Sequence, residues 1–269
     1  MRYYIVDTFA GAGHLGNPAG VVPLQAFPDE GRMQEAAHRI GVPTTAFVVP
    51  ITAGAYRVRW FTPFAEVNLC GHATLGSARH LFAEAGNAGR TRLRFESDNG
   101  VLHAETVRDL IAIELPKAAL TVCAPPPGLL EALGVAEAVS CAVSSDDVLV
   151  ELASADAVAA VSPDFAALAR QPFRGNIVTA RAASGVDFVS RTFFPSLGVN
   201  EDQVCVTAHC KLAPFWAQRL GRRALAALQL SERGGQLQVE DGTDGIRVLG
   251  SAVPRGGARE LELDAVATS

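Results

Sequence analysis

The same short pattern occurs twice along the chain, and this internal repeat constrains the fold more than any other feature. Each copy contains the motif R-x-F-x-P, then E-x-x-x-C-x-x-A, then a segment with helical spacing of its apolar residues. The two copies are Arg59–Pro63 with Glu66–Ala73, and Arg191–Pro195 with Glu201–Ala208. Because motif order and the strand–turn–helix context are shared, the repeat predicts two similar halves, each built around its own helix.

Short β-rich runs separated by glycine, proline and aspartate surround both copies, a pattern typical of strands joined by turns. The spacing predicts one helix from Gly71 to Gly86 and another over His209–Gly221, with Pro214 in its first turns. Three consecutive prolines, Pro125 to Pro127, cannot donate to a β-ladder and mark a boundary.

We therefore predict a mixed α/β fold with two similar lobes, each a sheet wrapped around a central helix. The N-terminal lobe spans residues 1–118 and the C-terminal lobe residues 119–269, with terminal strands that can pack back on the first lobe.

The charge and hydropathy of the chain exclude several classes of partner. Its 269 residues carry a formal net charge of −5 without a basic stripe, which argues against nucleic acid and anionic membranes as partners. No run of about 18 apolar residues occurs, and the N-terminus lacks a secretory signal pattern. Five cysteines in a chain of this length predict reduced thiols. We expect a soluble, cytoplasmic protein with a small-molecule substrate.

Two patterns could indicate a cofactor or a metal. Gly11–Gly16 satisfies G-x-G-x-x-G, but a strand-like segment follows it where a dinucleotide site needs a helix. Cys70 and His72 with Cys205 and His209 could ligate zinc, but their spacing lacks the C-x₂-C knuckle. We therefore expect no cofactor and no metal.

The two helix starts offer other chemistry. If the halves face each other, both helix N-termini point into one cleft, where free amides and positive dipole ends bind anions. Cys70 and Cys205 hold equivalent places and could act as an epimerase pair, one thiol per face of a substrate carbon, because helix N-termini lower thiol pKa values. The alternative is that both are small buried apolar side chains.

Carboxylates lie next to both helix starts. Glu66, Glu201 and Asp202 can cap a helix, or one of the adjacent pair can enter the cleft. His72 is a suitable partner for moving a proton because an unperturbed imidazole titrates near neutral pH. From the residues alone we predict a two-lobed enzyme capable of proton transfer.

Several sequence blocks occur in an order that marks a known family. They are Asp7–Phe9, Gly16–Val22, Arg59–Pro63, Glu66–Leu75, Arg191–Pro195, Glu201–His209, Leu212–Trp216 and Arg233–Gly235. In these blocks, which run from Asp7 to about Val253 with their flanks, the chain resembles the phenazine-biosynthesis PhzF-like isomerase family. The resemblance implies the diaminopimelate-epimerase-like fold, no cofactor and usually a homodimer.

The resemblance also implies an activity. The family's best-known reaction isomerises dihydro-hydroxyanthranilate by a proton shift across a cyclic amino-acid diene. A glutamate carries the proton, while a histidine, an aspartate and helix-end amides hold the substrate. His72 and Asp202 match the histidine and the aspartate. Asn17, Cys70 and Gly71, together with Cys205, Val206 and Thr207, match the substrate-binding segments.

The family glutamate is absent from this chain. Its position in the S-E-T-x-F segment is Thr44, and Cys205-Val206-Thr207 replaces the usual Thr-Gly-Ser. A threonine hydroxyl cannot ionise near pH 7, so Thr44 cannot act as the general base. We expect a PhzF-like isomerase of a specialised pathway such as antibiotic biosynthesis, with Asp202 or His72 as proton carrier and Thr44 lining the site. The alternatives are a two-cysteine amino-acid epimerase or racemase and a non-catalytic metabolite-binding member.

Overall fold

The computed structural model describes residues 1–263 and has a mixed α/β fold. Its strands are β1 (Arg2–Thr8), β2 (Asn17–Pro23), β3 (Thr44–Thr52), β4 (Ala55–Phe61), β5 (Glu66–Val67), β6 (Arg92–Ser97), β7 (Gly100–Val107), β8 (Leu110–Leu115), β9 (Thr121–Cys123), β10 (Ser140–Val143), β11 (Asp147–Glu151), β12 (Gly175–Arg181), β13 (Phe188–Phe193), β14 (Ala224–Gln229), β15 (Gly235–Asp241), β16 (Ile246–Gly250), β17 (Ala252–Pro254) and β18 (Arg259–Glu260). Its helices are α1 (Glu30–Ile40), α2 (Gly71–Phe82), α3 (Leu129–Leu133), α4 (Ala155–Ala159), α5 (Phe165–Leu168) and α6 (Val206–Leu220), with 3₁₀ turns at Ala85–Asn87 and Pro195–Leu197. No helix within residues 1–263 is long and apolar enough to cross a membrane.

The chain divides into two compact units. The first contains Met1–Ala10, Asn17–Glu114 and residues 249–263, and the second contains Gly11–Gly16 and Leu115–Val248. Unlike the continuous lobes 1–118 and 119–269, the units exchange segments: the glycine-rich loop Gly11–Gly16 belongs to the second unit. The terminal strands belong to the first unit, the arrangement expected if they pack back on it. Residues 264–269, the end of the second predicted lobe, lie outside the described residues.

The sheet of the first unit wraps around α2. Strands β1, β2, β3, β4, β6, β7 and β8 pair in that order; β2 with β3 and β4 with β6 are parallel, and the other pairs are antiparallel. Strands β17 and β18 add to β1, and β5 adds to β4. Helix α2 packs against β1, β2, β3, β7 and β17, and nine of its 12 residues are buried. Helix α1 packs with Phe47 and Phe61 of β3 and β4 in a separate core.

The sheet of the second unit repeats this plan. Strands β10 to β15 pair in chain order as antiparallel, parallel, antiparallel, parallel and antiparallel, the sequence shown by β1, β2, β3, β4, β6 and β7. Helix α6 packs against β14 and β15 with ten of its 15 residues buried, and α3 to α5 contribute to another core. The predicted fold class of two similar α/β halves, each with a central helix, is confirmed.

Strand registers extend the repeat to single residues. In the first unit the motif residue Phe61 pairs with the second residue of β3, and the first residue of β3, Thr44, pairs with Ala19 of the parallel strand β2. In the second unit Phe193 pairs with the second residue of β12, and the first residue of β12, Gly175, pairs with Asp147 of the parallel strand β11. The resulting equivalent pairs are Phe61 and Phe193, Thr44 and Gly175, Ala19 and Asp147, Cys70 and Cys205, and Gly76 and Lys211.

Three helix details differ from the sequence-based prediction. Helix α2 ends at Phe82, because the chain turns into a 3₁₀ segment before Gly86. Helix α6 begins at Val206, so Pro214 lies inside it and not in its first turns. Helix α1 was not predicted, although Asp29 caps its N-terminus and the left-handed Gly41 ends it.

Candidate active site

The R-x-F-x-P arginine and the following glutamate form the same ion pair in both units. Arg59 donates to both carboxylate oxygens of Glu66 at 2.7 and 2.6 Å, and Arg191 to those of Glu201 at 2.7 and 2.9 Å. Bidentate pairs of this kind fix orientation as well as charge. Each glutamate therefore ties the turn before α2 or α6 to the preceding strand, and its carboxylate is already paired with an arginine.

Both central helices begin at a cysteine without a side-chain cap. Cys70 and Cys205 have extended N-cap backbones, neither makes a side-chain capping hydrogen bond, and neither helix has an acidic residue in its first turn. The first amides and the positive end of the dipole thus keep the character of an anion-binding site. Gly71 and Val206 are the first helical residues, and their assignment to substrate binding stays a prediction.

His72 lies against the cysteine that precedes its helix. The distance from Cys70 Sγ to His72 Nδ1 is 3.4 Å, and both side chains are buried. Thr74, one turn further, donates to the Cys70 carbonyl at 2.7 Å and accepts from Trp60 Nε1 at 3.1 Å. The His72 imidazole therefore lies at a buried helix start whose backbone is held by hydrogen bonds to neighbouring side chains.

Thr44 and Asn17 begin neighbouring parallel strands of the first unit. Thr44 lies beside Ala19 of β2, which contacts α2 at Gly76, so Asn17, Ala19 and Thr44 share the sheet face that carries α2. Thr44 and Asn17 are both buried. The assignment of Thr44 to a substrate cavity stays a prediction.

Cys205 in the second unit differs from the expected reactive thiol. Burial raises its pKa, and the charges of Asp202 and Asp147 add to this effect, whereas the hydrogen bond with Thr207 opposes it. Its Sγ lies 3.3 Å from Thr207 Oγ1. Because the thiolate is the reactive form, this environment disfavours a proton-transferring thiol at Cys205.

The turn from Asp202 to Cys205 is held by a residue that the sequence did not indicate. Gln229, at the end of β14, accepts from the Cys205 amide at 2.9 Å and donates to the Asp202 carbonyl at 2.5 Å. The Asp202 amide donates to the carbonyl of Thr192 at 3.0 Å. Gln229 is fully buried, so this turn is rigidly placed.

A charge cluster around the buried Asp147 joins α6 to the start of β11 in the second unit. Lys211 of α6 donates to Asp147 at 2.6 Å, and Arg174 forms a bidentate pair with the same carboxylate at 3.0 and 2.7 Å. Asp146 lies 3.1 Å from Lys211 and 3.2 Å from Arg174. One signal for this cluster was available, because Lys211 is one of only two lysines in the chain and lies within an apolar helix.

The proposed zinc ligands and the glycine-rich loop have other partners. His209 Nδ1 lies 2.7 Å from the Cys205 carbonyl, and within residues 1–263 no group of three or more histidine, cysteine or acidic side chains is placed to hold a metal. The Gly11–Gly16 loop leads into β2 and not a helix, and its last two amides donate to the carbonyls of Arg233 and Gly234.

Burial of His209 predicts an acid-sensitive fold. Desolvation lowers its pKa to about 4. As pH falls from about 6.5 to 4, His209 becomes protonated in the unfolded chain but stays neutral in the folded protein. The free energy of unfolding therefore decreases, by about 3 kcal/mol in total.

Denaturant titrations between pH 7 and pH 4 measure this slope. His209→Thr, which copies the equivalent Thr74, should flatten it, and His38→Gln, at an exposed position of α1, is the matched histidine control. An unaltered slope in His209→Thr would contradict the assignment.

Comparisons with known proteins give the chain a set of relatives. The family model described as "Phenazine biosynthesis-like protein" matches residues 6–256. An uncharacterized isomerase of Pseudomonas aeruginosa is 45% identical over 252 residues, covering 94% of this chain and 95% of the relative.

Solved structures are similar over the whole chain. The crystal structure of a PhzF family phenazine biosynthesis protein from Enterococcus faecalis superposes with a TM-score of 0.89 at 38% identity, covering 97% of this chain and 99% of that one. A probable proline racemase from Agrobacterium radiobacter has a TM-score of 0.67 at 12% identity, covering 99% of this chain and 94% of that one, a likeness of fold alone.

Proposed function

The chain belongs to the phenazine biosynthesis-like PhzC-PhzF family, and from this premise we propose that it is a cofactor-independent isomerase that moves a proton, and with it a double bond, in a small unsaturated cyclic amino or carboxylic acid. The observation that carries the proposal is the pair of central helices that begin without a side-chain cap beside His72 and Asp202. The assignments to a specialised pathway and to a homodimer depend on the family resemblance. Analytical sedimentation measures the oligomeric state.

In the first unit, the amides of Gly71 and His72 bind the substrate carboxylate at the start of α2. Backbone N–H groups at a helix start bind an anion through hydrogen bonds and the positive end of the helix dipole, so no charged side chain is needed. His72 lies at the same place, so its imidazole can give or take a proton next to the bound anion. Thr44 and Asn17 orient the substrate or a water, since neither side chain ionises near pH 7.

In the second unit, Asp202 is the candidate proton carrier. Its backbone is held on both sides, by Thr192 and by Gln229, which fixes the point from which the carboxylate extends. The amides of Val206 and Thr207 at the start of α6 are the corresponding anion binders.

The two-thiol epimerase receives less support. It needs an accessible thiolate at both helix starts, and burial raises the pKa of Cys205. The alternative is retained as an outcome of the test.

A panel of cyclic unsaturated amino and carboxylic acids, including dihydro-hydroxyanthranilate, tests the proposal in deuterated water. We expect incorporation of solvent deuterium at a ring carbon together with a shifted double bond, both followed by NMR. Deuterium at a saturated α-carbon, lost in Cys70→Ala and in Cys205→Ala, would indicate the epimerase instead. Tight binding without exchange across the panel would identify a non-catalytic binding protein.

A further inference from the structure

Two cysteines outside the candidate active site lie directly opposite each other on neighbouring strands. Cys123 is the last residue of β9, and Cys141 is its Cα partner in the antiparallel pair β9–β10. Opposite residues in such a pair have Cα atoms about 4.5 to 5.5 Å apart. This separation lies within the range of about 4.4 to 6.8 Å that a disulfide requires.

The two sulfur atoms already face each other. Cys123 Sγ lies 3.9 Å from Cys141 Sγ, and both thiols are free. A bond needs about 2.0 Å, so side-chain rotation and a small strand adjustment close the gap. The other three cysteines have different neighbours: Cys70 contacts His72, Cys205 contacts Thr207, and Cys210 lies against the Val206 carbonyl.

From this juxtaposition we propose that Cys123 and Cys141 form a dithiol modification site that takes small-molecule disulfides and is converted by them into an intramolecular disulfide. The proposal does not depend on the isomerase function.

The exposure of the two residues sets the order of the reaction. Cys123 is partly exposed beside the exposed Val122, whereas Cys141 is 2% exposed, so an incoming disulfide reaches Cys123 first. Burial, together with the neighbouring Cys123, raises the pKa of Cys141 to about 12. Cys123 is therefore the attacking thiolate and Cys141 the resolving thiol.

The two steps balance in atoms and electrons. The Cys123 thiolate attacks one sulfur of the small disulfide, forming a mixed disulfide and releasing one thiolate. Cys141 then loses its proton and attacks the Cys123 sulfur, releasing the second thiolate. The protein gives up two protons and two electrons, and the small disulfide is reduced to two thiols.

The experiment uses the full chain, fully reduced, with oxidised glutathione as the probe. We expect loss of two of the five thiols and a peptide linkage between Cys123 and Cys141 in mass spectra, without an accumulating glutathione adduct. Dithiothreitol should restore all five thiols.

Matched variants separate this pathway from general thiol oxidation. Cys141→Ala should trap glutathione on Cys123, and Cys123→Ser should retain its four thiols under conditions that oxidise the wild type. The proposal is overturned if glutathione remains on wild-type Cys123, if Cys70, Cys205 or Cys210 oxidises first, or if all five thiols persist. The wild-type peptide map decides the matter even if Cys141→Ala folds poorly.

Discussion

Replacing Lys211 with methionine is expected to lower the free energy of unfolding by about 3 to 5 kcal/mol, a large share of the stability of a typical domain. The physical reason is that Asp147, which is 1% exposed, loses the ammonium 2.6 Å away and remains with a single cationic partner, Arg174, which it shares with Asp146. Urea unfolding followed by circular dichroism measures the effect.

The internal repeat supplies the rescue variant. The first unit has Ala19 and Gly76 where the second has Asp147 and Lys211, and it packs these small residues directly together. Asp147→Ala combined with Lys211→Met removes both buried charges and leaves Arg174 with Asp146, so most of the lost stability should return.

The second lysine is the matched control. Lys117 is 38% exposed in its side chain and pairs with Asp241 at 2.6 Å, so Lys117→Met should cost no more than about 1 kcal/mol. If the double variant at Asp147 and Lys211 is as unstable as the single one, lost packing and not the loss of the ammonium partner of Asp147 explains the effect.

Asp202→Asn and His72→Gln are each expected to reduce turnover of the identified substrate by about 10²- to 10⁴-fold, the usual contribution of a general acid or base. Asp202→Asn keeps the side-chain shape, and His72→Gln keeps a polar nitrogen at a similar reach, so substrate binding should change less than kcat. Thr44→Val should cause a smaller loss, because a threonine hydroxyl orients a substrate or water but does not transfer a proton as a base.

The measurement is a steady-state assay of all three variants, with thermal unfolding to confirm their folding. Full turnover in both Asp202→Asn and His72→Gln would show that neither group carries the proton. A larger loss in Thr44→Val than in the other two would mean that the roles assigned to these residues are wrong.

The position of Asp202 shows why the candidate site was only partly accessible from the sequence. The R-x-F-x-P and E-x-x-x-C-x-x-A motifs predicted the strand, the turn and the helix start, since all three depend on neighbours within a few residues. Gln229, which holds that turn, follows Cys205 by 24 positions and reaches it only because β14 pairs with β13. No local pattern encodes that pairing.

The glutamates of the repeat illustrate a second limit. Sequence spacing placed Glu66 and Glu201 next to helix starts, which suited both capping and catalysis. The structure instead pairs each with the arginine of the preceding strand. In the first unit Glu66 of β5 lies opposite Phe61 of β4, on the face that also carries Arg59.

By itself, the sequence determined the duplicated α/β plan, the presence of two central helices and the family, because helical periodicity and short motifs are local properties of the chain. Only the tertiary structure decided which side chains meet: Lys211 with Asp147, Cys123 with Cys141, and the Gly11–Gly16 loop with Arg233. These contacts depend on strand register and burial, which join residues far apart in the chain and raise or lower pKa values in ways that residue type alone does not specify.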